Sequence, residues 1–228
     1  MSLKNKVIFV ILFSMTNIHV LNGLNSLQIA FVIIVPAVVF IFLVICLYFP
    51  ISRFYNRKHF QIHYYKRVYK VALNNDYFLI NQFVFKIDNS KVACVDHILF
   101  GGKYIYVITS KYYQGDLVGK YNDKSLIFIS HKGKKCYTDN PYNQVKLLAS
   151  KLSSSTGVDA SLMIGIVLVN DDCKVAVQSE SKQFYIIQRK HFAALIKAIE
   201  SRPVAEINQT QLAKAVQSIA KQNKRKKE

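Results

Sequence analysis

Apolar residues are concentrated in the first 50 positions of this 228-residue chain, and beyond them they recur in short periodic runs. Residues 27–49 carry no charge, and at ~1.5 Å per residue they are long enough for a hydrocarbon core of ~30 Å. They therefore predict a transmembrane helix. A second, more polar helix is predicted over residues 7–21, and the apolar segment of a signal peptide is the alternative for this stretch.

Positive charges flank the two apolar segments, whereas the turn between them carries none. Lys4 and Lys6 precede the first segment, and Arg53, Arg57 and Lys58 follow the second. Because lysine and arginine are retained on the cytoplasmic side, both ends of this helical hairpin are expected there. We therefore expect an integral membrane protein with a membrane anchor over residues 1–58 and its C-terminal domain in the cytoplasm.

Beyond the anchor, helical and strand periodicities alternate. Residues 59–73 can wind as a helix with an apolar side and a basic side. A hairpin with the turn Gly101-Gly102 joins two apolar runs, residues 98–100 and 104–108. Further strands are predicted over residues 77–85, 91–95, 117–118, 125–129, 174–177 and 184–187.

The second half of the chain has clear helix signals. Asp139-Asn140-Pro141 marks a helix start, because Asp or Asn caps the free N–H groups and proline suits the first turn. That helix is predicted to end in a loop over residues 153–157. Residues 161–169 form a continuous apolar run, which predicts a central strand buried on both faces. Two more helices are predicted over residues 189–200 and 208–223.

Positive charge dominates the part of the chain after the anchor. From residue 50 onward there are 29 Lys and Arg against 13 Asp and Glu, a formal charge of +16. Such a surface attracts nucleic acid through counterion release or anionic lipid through headgroup charge. Net charge alone does not distinguish between nucleic acid and anionic lipid as the partner. If a phosphate backbone binds, the basic turn with Lys132, Lys134 and Lys135 is where contact is expected.

The cysteines give no sign of a metal or disulfide framework. Cys46, Cys94, Cys136 and Cys173 stand singly, without a CxxC pair. This spacing favours reduced thiols in a reducing compartment.

Several motifs in order resemble the nuclease-related domain family, abbreviated NERD, over roughly residues 60–200. They are Asp-His-Ile-Leu at 96–99, Thr-Ser-Lys-Tyr-Tyr-Gln-Gly at 109–115 and Asn-Pro-Tyr-Asn-Gln at 140–144. The resemblance implies an α/β fold of the restriction-endonuclease-like type, in which a central mixed sheet is flanked by helices. Residues 59–200 would form this domain, and residues 201–228 an amphipathic helix with a basic tail.

The same resemblance implies a divalent-metal nuclease with Asp96, Lys111 and Gln144 in catalytic positions. Asp96 would hold Mg²⁺, Lys111 would stabilise a phosphate or orient water, and Gln144 would present its amide in the first turn of a helix. The alternatives without a catalytic role are a turn cap for Asp96, an exposed strand-end lysine for Lys111 and a surface glutamine for Gln144.

Two departures from the family weaken the metal site. The helix over residues 59–73 has no acid where the family carries a glutamate, and Thr109 stands where the family has the glutamate of Glu-x-Lys. With Asp96 as the remaining carboxylate, Mg²⁺ would bind weakly. We therefore expect nucleic-acid binding with weak or no cleavage, and a non-enzymatic membrane scaffold that binds anionic lipid is the alternative.

Overall fold

A computed structural model describes residues 26–86, 92–178 and 181–223 of the chain. Contacts divide the residues into two units, Met1–Lys58 and His59–Glu228. The helix predicted over residues 7–21 lies outside the described residues.

The described residues of the first unit form a long helix, α1, which spans Ser26–Lys58 and so continues nine residues past its predicted end. Most of its described apolar side chains are exposed, as for Phe42 and Leu47. In the described part of the chain, no helix combines the length and the apolar character that crossing a membrane requires. The transmembrane prediction is therefore not confirmed.

The described residues of the second unit form four helices and nine strands, with two short 3-10 turns at Ala160–Leu162 and Arg189–His191. The helices are α2 Phe60–Asn74, α3 Pro141–Thr156, α4 Phe192–Glu200 and α5 Gln209–Gln222. The strands are β1 Phe78–Lys86, β2 Val92–Phe100, β3 Ile105–Lys111, β4 Gly115–Lys120, β5 Ser125–Ser130, β6 Lys135–Asp139, β7 Met163–Val169, β8 Val175–Gln178 and β9 Phe184–Gln188.

Both sheets are mixed. The larger has the strand order β1-β2-β3-β7-β9, with β1, β2 and β3 antiparallel and β3, β7 and β9 parallel. The smaller has the order β6-β5-β4-β8, in which β4 and β8 run parallel. The prediction of an α/β fold with mixed sheet and flanking helices is confirmed.

Helices cover both faces of the larger sheet. On one face, α2 and α4 pack their apolar residues, such as Val68 and Ile196, against β2, β3 and β7. On the other face, α3 and α5 pack residues such as Leu148 and Ile219. All seven residues of β7 are buried, as its continuous apolar sequence predicts for a central parallel strand.

Helix α3 begins as predicted but ends later. Asn140 is its N-cap, and its side chain accepts a hydrogen bond from the Tyr142 N–H. The predicted loop over residues 153–157 is wrong, because the helix continues through Thr156 to Gly157, which has φ 69°. The Thr156 hydroxyl donates to the Leu152 carbonyl four residues earlier, a bond that a threonine inside a helix can form.

Two strands also differ from the prediction. The separate strands over residues 91–95 and 98–100 are one strand, β2, so Asp96 lies inside a strand and not at its end. Strand β6 was missed, because most of its residues are polar and exposed and give no apolar alternation. It pairs with β5 at the edge of the smaller sheet.

The hairpin of β2 and β3 forms as predicted, with Phe100 paired to Ile105. Its turn is held by Glu200 of α4, whose carboxylate accepts the Tyr106 hydroxyl at 2.6 Å and the Lys103 N–H at 3.0 Å. A Cβ at Gly101 would overlap the Glu200 carboxylate and the Tyr106 ring, so a larger residue there would displace these two side chains.

Candidate functional site

The pairing of β1 with β2 is interrupted at one point, where Gln82 stands opposite Asp96. Regular partners occur on either side, Asn81 with His97 and Phe83 with Val95. Gln82 has φ 50°, in the left-handed region that non-glycine residues rarely adopt. Such a conformation costs on the order of 1–3 kcal/mol and is found most often at functional sites.

This interruption reverses the alternation of side chains along both strands. Leu79 packs on the α2 face of the sheet, whereas Phe83, four residues further on, packs on the opposite face. Leu99 and Val95 of β2 differ in the same way. Because residues four apart in a regular strand share a face, both strands must twist locally at Gln82.

A cavity of about 430 Å³ lies at this point, between α2 and the strands β1, β2 and β3. Its lining is mostly polar and includes one aromatic ring that is partly exposed. The lining residues are Gln61, Ile62, Tyr65, Asn81, Gln82, Asp96, His97 and Ser110. Ligand sites commonly combine a concave shape with a few convergent polar groups.

His97 forms the buried side of the cavity, with 6% of its surface exposed. Its Nδ1 lies 2.7 Å from Asn81 Oδ1. Burial lowers the pKa of His97, although the nearby Asp96 carboxylate opposes this effect. The ring is therefore neutral near pH 7, and an Nδ1–H that donates to Asn81 leaves Nε2 as an acceptor.

The structure brings Asp96 and the end of β3 together. Asp96 Oδ2 accepts the Ser110 N–H at 2.5 Å, and Lys111 is the next residue of β3. The Lys111 side chain is partly exposed, and its carbonyl accepts a hydrogen bond from the Tyr64 hydroxyl at 3.1 Å. Burial raises the pKa of Tyr64, so this hydroxyl stays protonated as the donor.

Gln144 lies elsewhere. It is exposed in the first turn of α3, the helix that covers the face of the sheet opposite α2. No hydrogen bond or ion pair joins Gln144 to Asp96 or Lys111 among the described residues. The joint role of these three residues stays a prediction.

The motif resemblance places Thr109 where the family carries a glutamate. It is 5% exposed, and its Oγ1 has no hydrogen-bond partner in the part of the chain that the structure describes. In the parallel register it lies beside Val167 of β7. The position of Thr109 therefore supplies a buried hydroxyl and no second carboxylate.

Other acids do not join Asp96 in the cavity lining. Asp116, the acid nearest to Lys111 in sequence, accepts the Lys174 N–H in the smaller sheet. Within residues 26–86, 92–178 and 181–223, no group of three or more His, Cys, Asp or Glu side chains is placed to hold a metal ion. Mg²⁺ usually takes one or two carboxylates besides water and substrate phosphate, so a single carboxylate that already accepts a backbone N–H would hold it weakly.

The three lysines of the predicted basic turn are exposed. Lys132 and Lys134 lie in the turn between β5 and β6, and Lys135 begins β6. The turn is closed by the Ser130 N–H, which donates to the Lys134 carbonyl at 2.9 Å. No acid lies within residues 129–138, so their charges are not neutralised locally.

Sequence reasoning missed the amide side of the cavity. Asn81 and Gln82 form a polar pair inside an otherwise apolar strand, and two adjacent polar residues cannot both face solvent in a regular strand. That pair was the available signal for a local irregularity. Tyr65 and Gln61 carried no comparable signal, since exposed polar and aromatic residues are common on amphipathic helices.

Comparison with known protein families gives one match. Residues 60–170 match the model of the nuclease-related domain family, NERD. The match begins at α2, extends through β7 and contains the cavity. Comparisons with curated proteins and with solved structures gave no match.

Proposed function

Starting from the nuclease-related domain of residues 60–170, we propose that the second unit binds nucleic acid through the phosphate backbone and cleaves it weakly or not at all. The observation that carries this proposal is the cavity beside β2 and β3, which offers Asp96 as its one lining carboxylate. The nuclease-related domain supports the nucleic-acid part, and the donor set supports the weak-cleavage part. The proposed ligand is DNA or RNA.

A divalent metal ion is the cofactor that the family match implies. Nuclease-related domains are typically dependent on divalent metal, and such an ion would activate water and stabilise charge on the phosphate. Asp96 is the one lining carboxylate available to such an ion and the Thr109 hydroxyl is a poor second ligand, so these residues would hold it weakly at best. No catalytic step is therefore assigned to a metal in this chain.

Backbone contact is proposed at Lys132, Lys134 and Lys135, with Lys111 near the cavity. Phosphate contacts position a nucleic acid without reading its sequence, and exposed lysines act as point charges for this purpose. The exposed basic turn between β5 and β6 presents three of them within four residues.

Replacement of Lys132, Lys134 and Lys135 by glutamate is expected to lower the affinity for DNA and also the dependence of that affinity on salt concentration. If each lysine neutralises one phosphate, the slope of log K against log salt concentration should shrink by about 3. The measurement is DNA retention by residues 59–228 between low and physiological salt.

The matched control carries the same charge change elsewhere, at the exposed Lys146, Lys197 and Lys214. It should keep most of the slope, because these side chains belong to helices α3, α4 and α5 and not to the turn. Equal losses in both triple variants would mean that only net charge attracts DNA, and the turn would lose its assigned role.

We also propose that α1 attaches the chain to a membrane, with the domain after residue 58 in the cytoplasm. Support comes from the uncharged sequence of residues 27–49 and from the exposed apolar side chains of α1, which favour a lipid environment. Arg53, Arg57 and Lys58 support the orientation. Fractionation tests the proposal: we expect the full chain in the membrane pellet after an alkaline wash, and full release into the supernatant would refute integral attachment.

The second candidate function is a non-enzymatic scaffold whose basic surface binds anionic lipid. The excess of positive charge favours it to the same extent as nucleic acid. Flotation of residues 59–228 with phosphatidylglycerol vesicles, compared with DNA retention, separates the two. Strong flotation without DNA retention would replace the first proposal by the second.

A further inference from the structure

The exposed side of α2 carries two tyrosines next to the cavity. Tyr65 and Tyr69 are 39% and 48% exposed, and their rings stack with centroids 5.8 Å apart and an interplanar angle of 22°. Tyr65 also lines the cavity and lies 6.1 Å from the His97 ring. Solvent-exposed stacked rings next to a polar cavity have the form of a stacking platform.

Positive charge accompanies these rings. Lys66 and Lys70 follow the two tyrosines directly in sequence and are exposed. The α2 sequence contains no Asp or Glu. A strand of phosphates can therefore pass along α2 without meeting a carboxylate of this helix, while its bases reach the rings.

The cavity offers hydrogen-bonding groups that have no partner among the residues that the structure describes. The side-chain amides of Gln61 and Gln82 make no hydrogen bond to another described residue, and each combines donor and acceptor atoms. Asn81 contributes an amide N–H₂ when its oxygen accepts from His97. Such groups match the edge of a nucleobase, whereas a lipid headgroup would require cations in the cavity.

We propose that the cavity and the Tyr65–Tyr69 pair bind unpaired bases of a single-stranded nucleic acid, with one base in the cavity and its neighbour stacked on the tyrosines. A base inside a duplex cannot reach this site, since its edge is paired and its faces are stacked. The second unit is therefore selective for single strands or unpaired ends. This inference rests on the proposed nucleic-acid binding and names the class of its ligand.

The test uses the full chain in neutral detergent and measures the anisotropy of three fluorescent probes of equal length. The probes are a mixed-sequence single strand, the same strand with abasic sites throughout, and a blunt duplex. We expect the single strand to bind at least about tenfold more tightly than the abasic strand, because aromatic stacking contributes about 1–3 kcal/mol per base. Equal affinity for these two probes would overturn the inference.

Substitutions at Tyr65 and Tyr69 test whether their rings cause the tighter binding of the single strand. Tyr65→Ala with Tyr69→Ala should weaken single-strand binding about tenfold or more and leave duplex binding within about twofold. Tyr65→Phe with Tyr69→Phe should restore binding, since the rings remain. Tyr137→Ala, at an 81% exposed tyrosine of β6, should behave as wild type.

The outcomes separate this inference from the function on which it rests. If wild type binds none of the probes, the proposed nucleic-acid function fails. If wild type binds all probes and the alanine variant binds them equally well, only the base site fails. If the alanine variant instead loses binding to phosphatidylglycerol vesicles and keeps its oligonucleotide affinity, the tyrosines face lipid, and the inference is also overturned.

Discussion

Replacement of Asn140 by alanine is expected to lower the free energy of unfolding by about 3 kcal/mol, the sum of a lost N-cap and of unpaired buried groups. Asn140 is 2% exposed, and its Oδ1 accepts the Tyr142 N–H at 3.0 Å. Its Nδ2 donates to the carbonyls of Tyr121 at 3.0 Å and Asp123 at 2.9 Å. One side chain thus begins α3 and also fixes the β4–β5 loop. Urea unfolding of residues 59–228 measures the effect.

Asn140→Ser separates the two roles. A serine keeps the cap but is too short to reach the loop carbonyls, so it should recover only about 1 kcal/mol. Asn122→Ala, at an exposed asparagine of the same loop, should change stability by less than about 0.5 kcal/mol. Complete recovery by serine would show that the loop contacts contribute nothing, contrary to our account.

The second large effect is expected at Glu200. Its replacement by alanine should lower the free energy of unfolding by about 3 kcal/mol, because hydrogen bonds to a charged group contribute about 1.5–3 kcal/mol each. Glu200 accepts the hydroxyl of Tyr106, a fully buried side chain, and the N–H of Lys103 in the hairpin turn. Burial and the hydrogen bond to Glu200 raise the pKa of Tyr106, so the hydroxyl remains a donor. Thermal or urea unfolding measures the loss.

A double-mutant cycle with Tyr106→Phe isolates the pair. We expect a coupling free energy of about 1.5 kcal/mol between the two positions, within the range of residues in direct contact. Glu206→Ala, at an exposed glutamate, is the control and should be nearly neutral. Additive losses in the double variant would mean that the carboxylate and the hydroxyl do not interact in solution.

The elements that the sequence predicted well are those with a strong local pattern. Helix α2 repeats apolar residues at helical spacing, Asn140 with Pro141 marks the start of α3, and β7 is apolar throughout. The β2–β3 hairpin follows from its two glycines. In each case residues close in sequence determine the local conformation, so a single sequence is sufficient.

The remaining features depend on contacts between distant residues. The interruption at Gln82 and Asp96 reverses the alternation of side chains in two strands at once. Sequence periodicity does not predict it, because that pattern assumes a regular strand. Glu200 binds a turn almost a hundred residues earlier in the chain. The cavity consequently combines α2 with three strands in a way that no short motif encodes. Asp96 was found because a family motif contains it, whereas Asn81 and Gln82 lie outside the quoted motifs.

The sequence motifs alone did not determine the relative positions of Asp96, Lys111 and Gln144. The resemblance places all three in one functional group, and strand pairing brings Asp96 to the residue before Lys111. Gln144 belongs to a helix on the opposite face of the sheet, where its side chain is exposed. Its replacement should affect binding separately from that of Asp96.

The most direct test of the account is incubation of residues 59–228 with single-stranded and duplex DNA, with Mg²⁺ or Mn²⁺, and with Asp96→Ala as the matched variant. We predict salt-dependent retention of DNA by both proteins, with no cleavage above the level of the Asp96→Ala variant. Efficient metal-dependent cleavage that Asp96→Ala abolishes would contradict the weak-cleavage account, because Asp96 would then belong to a working metal site.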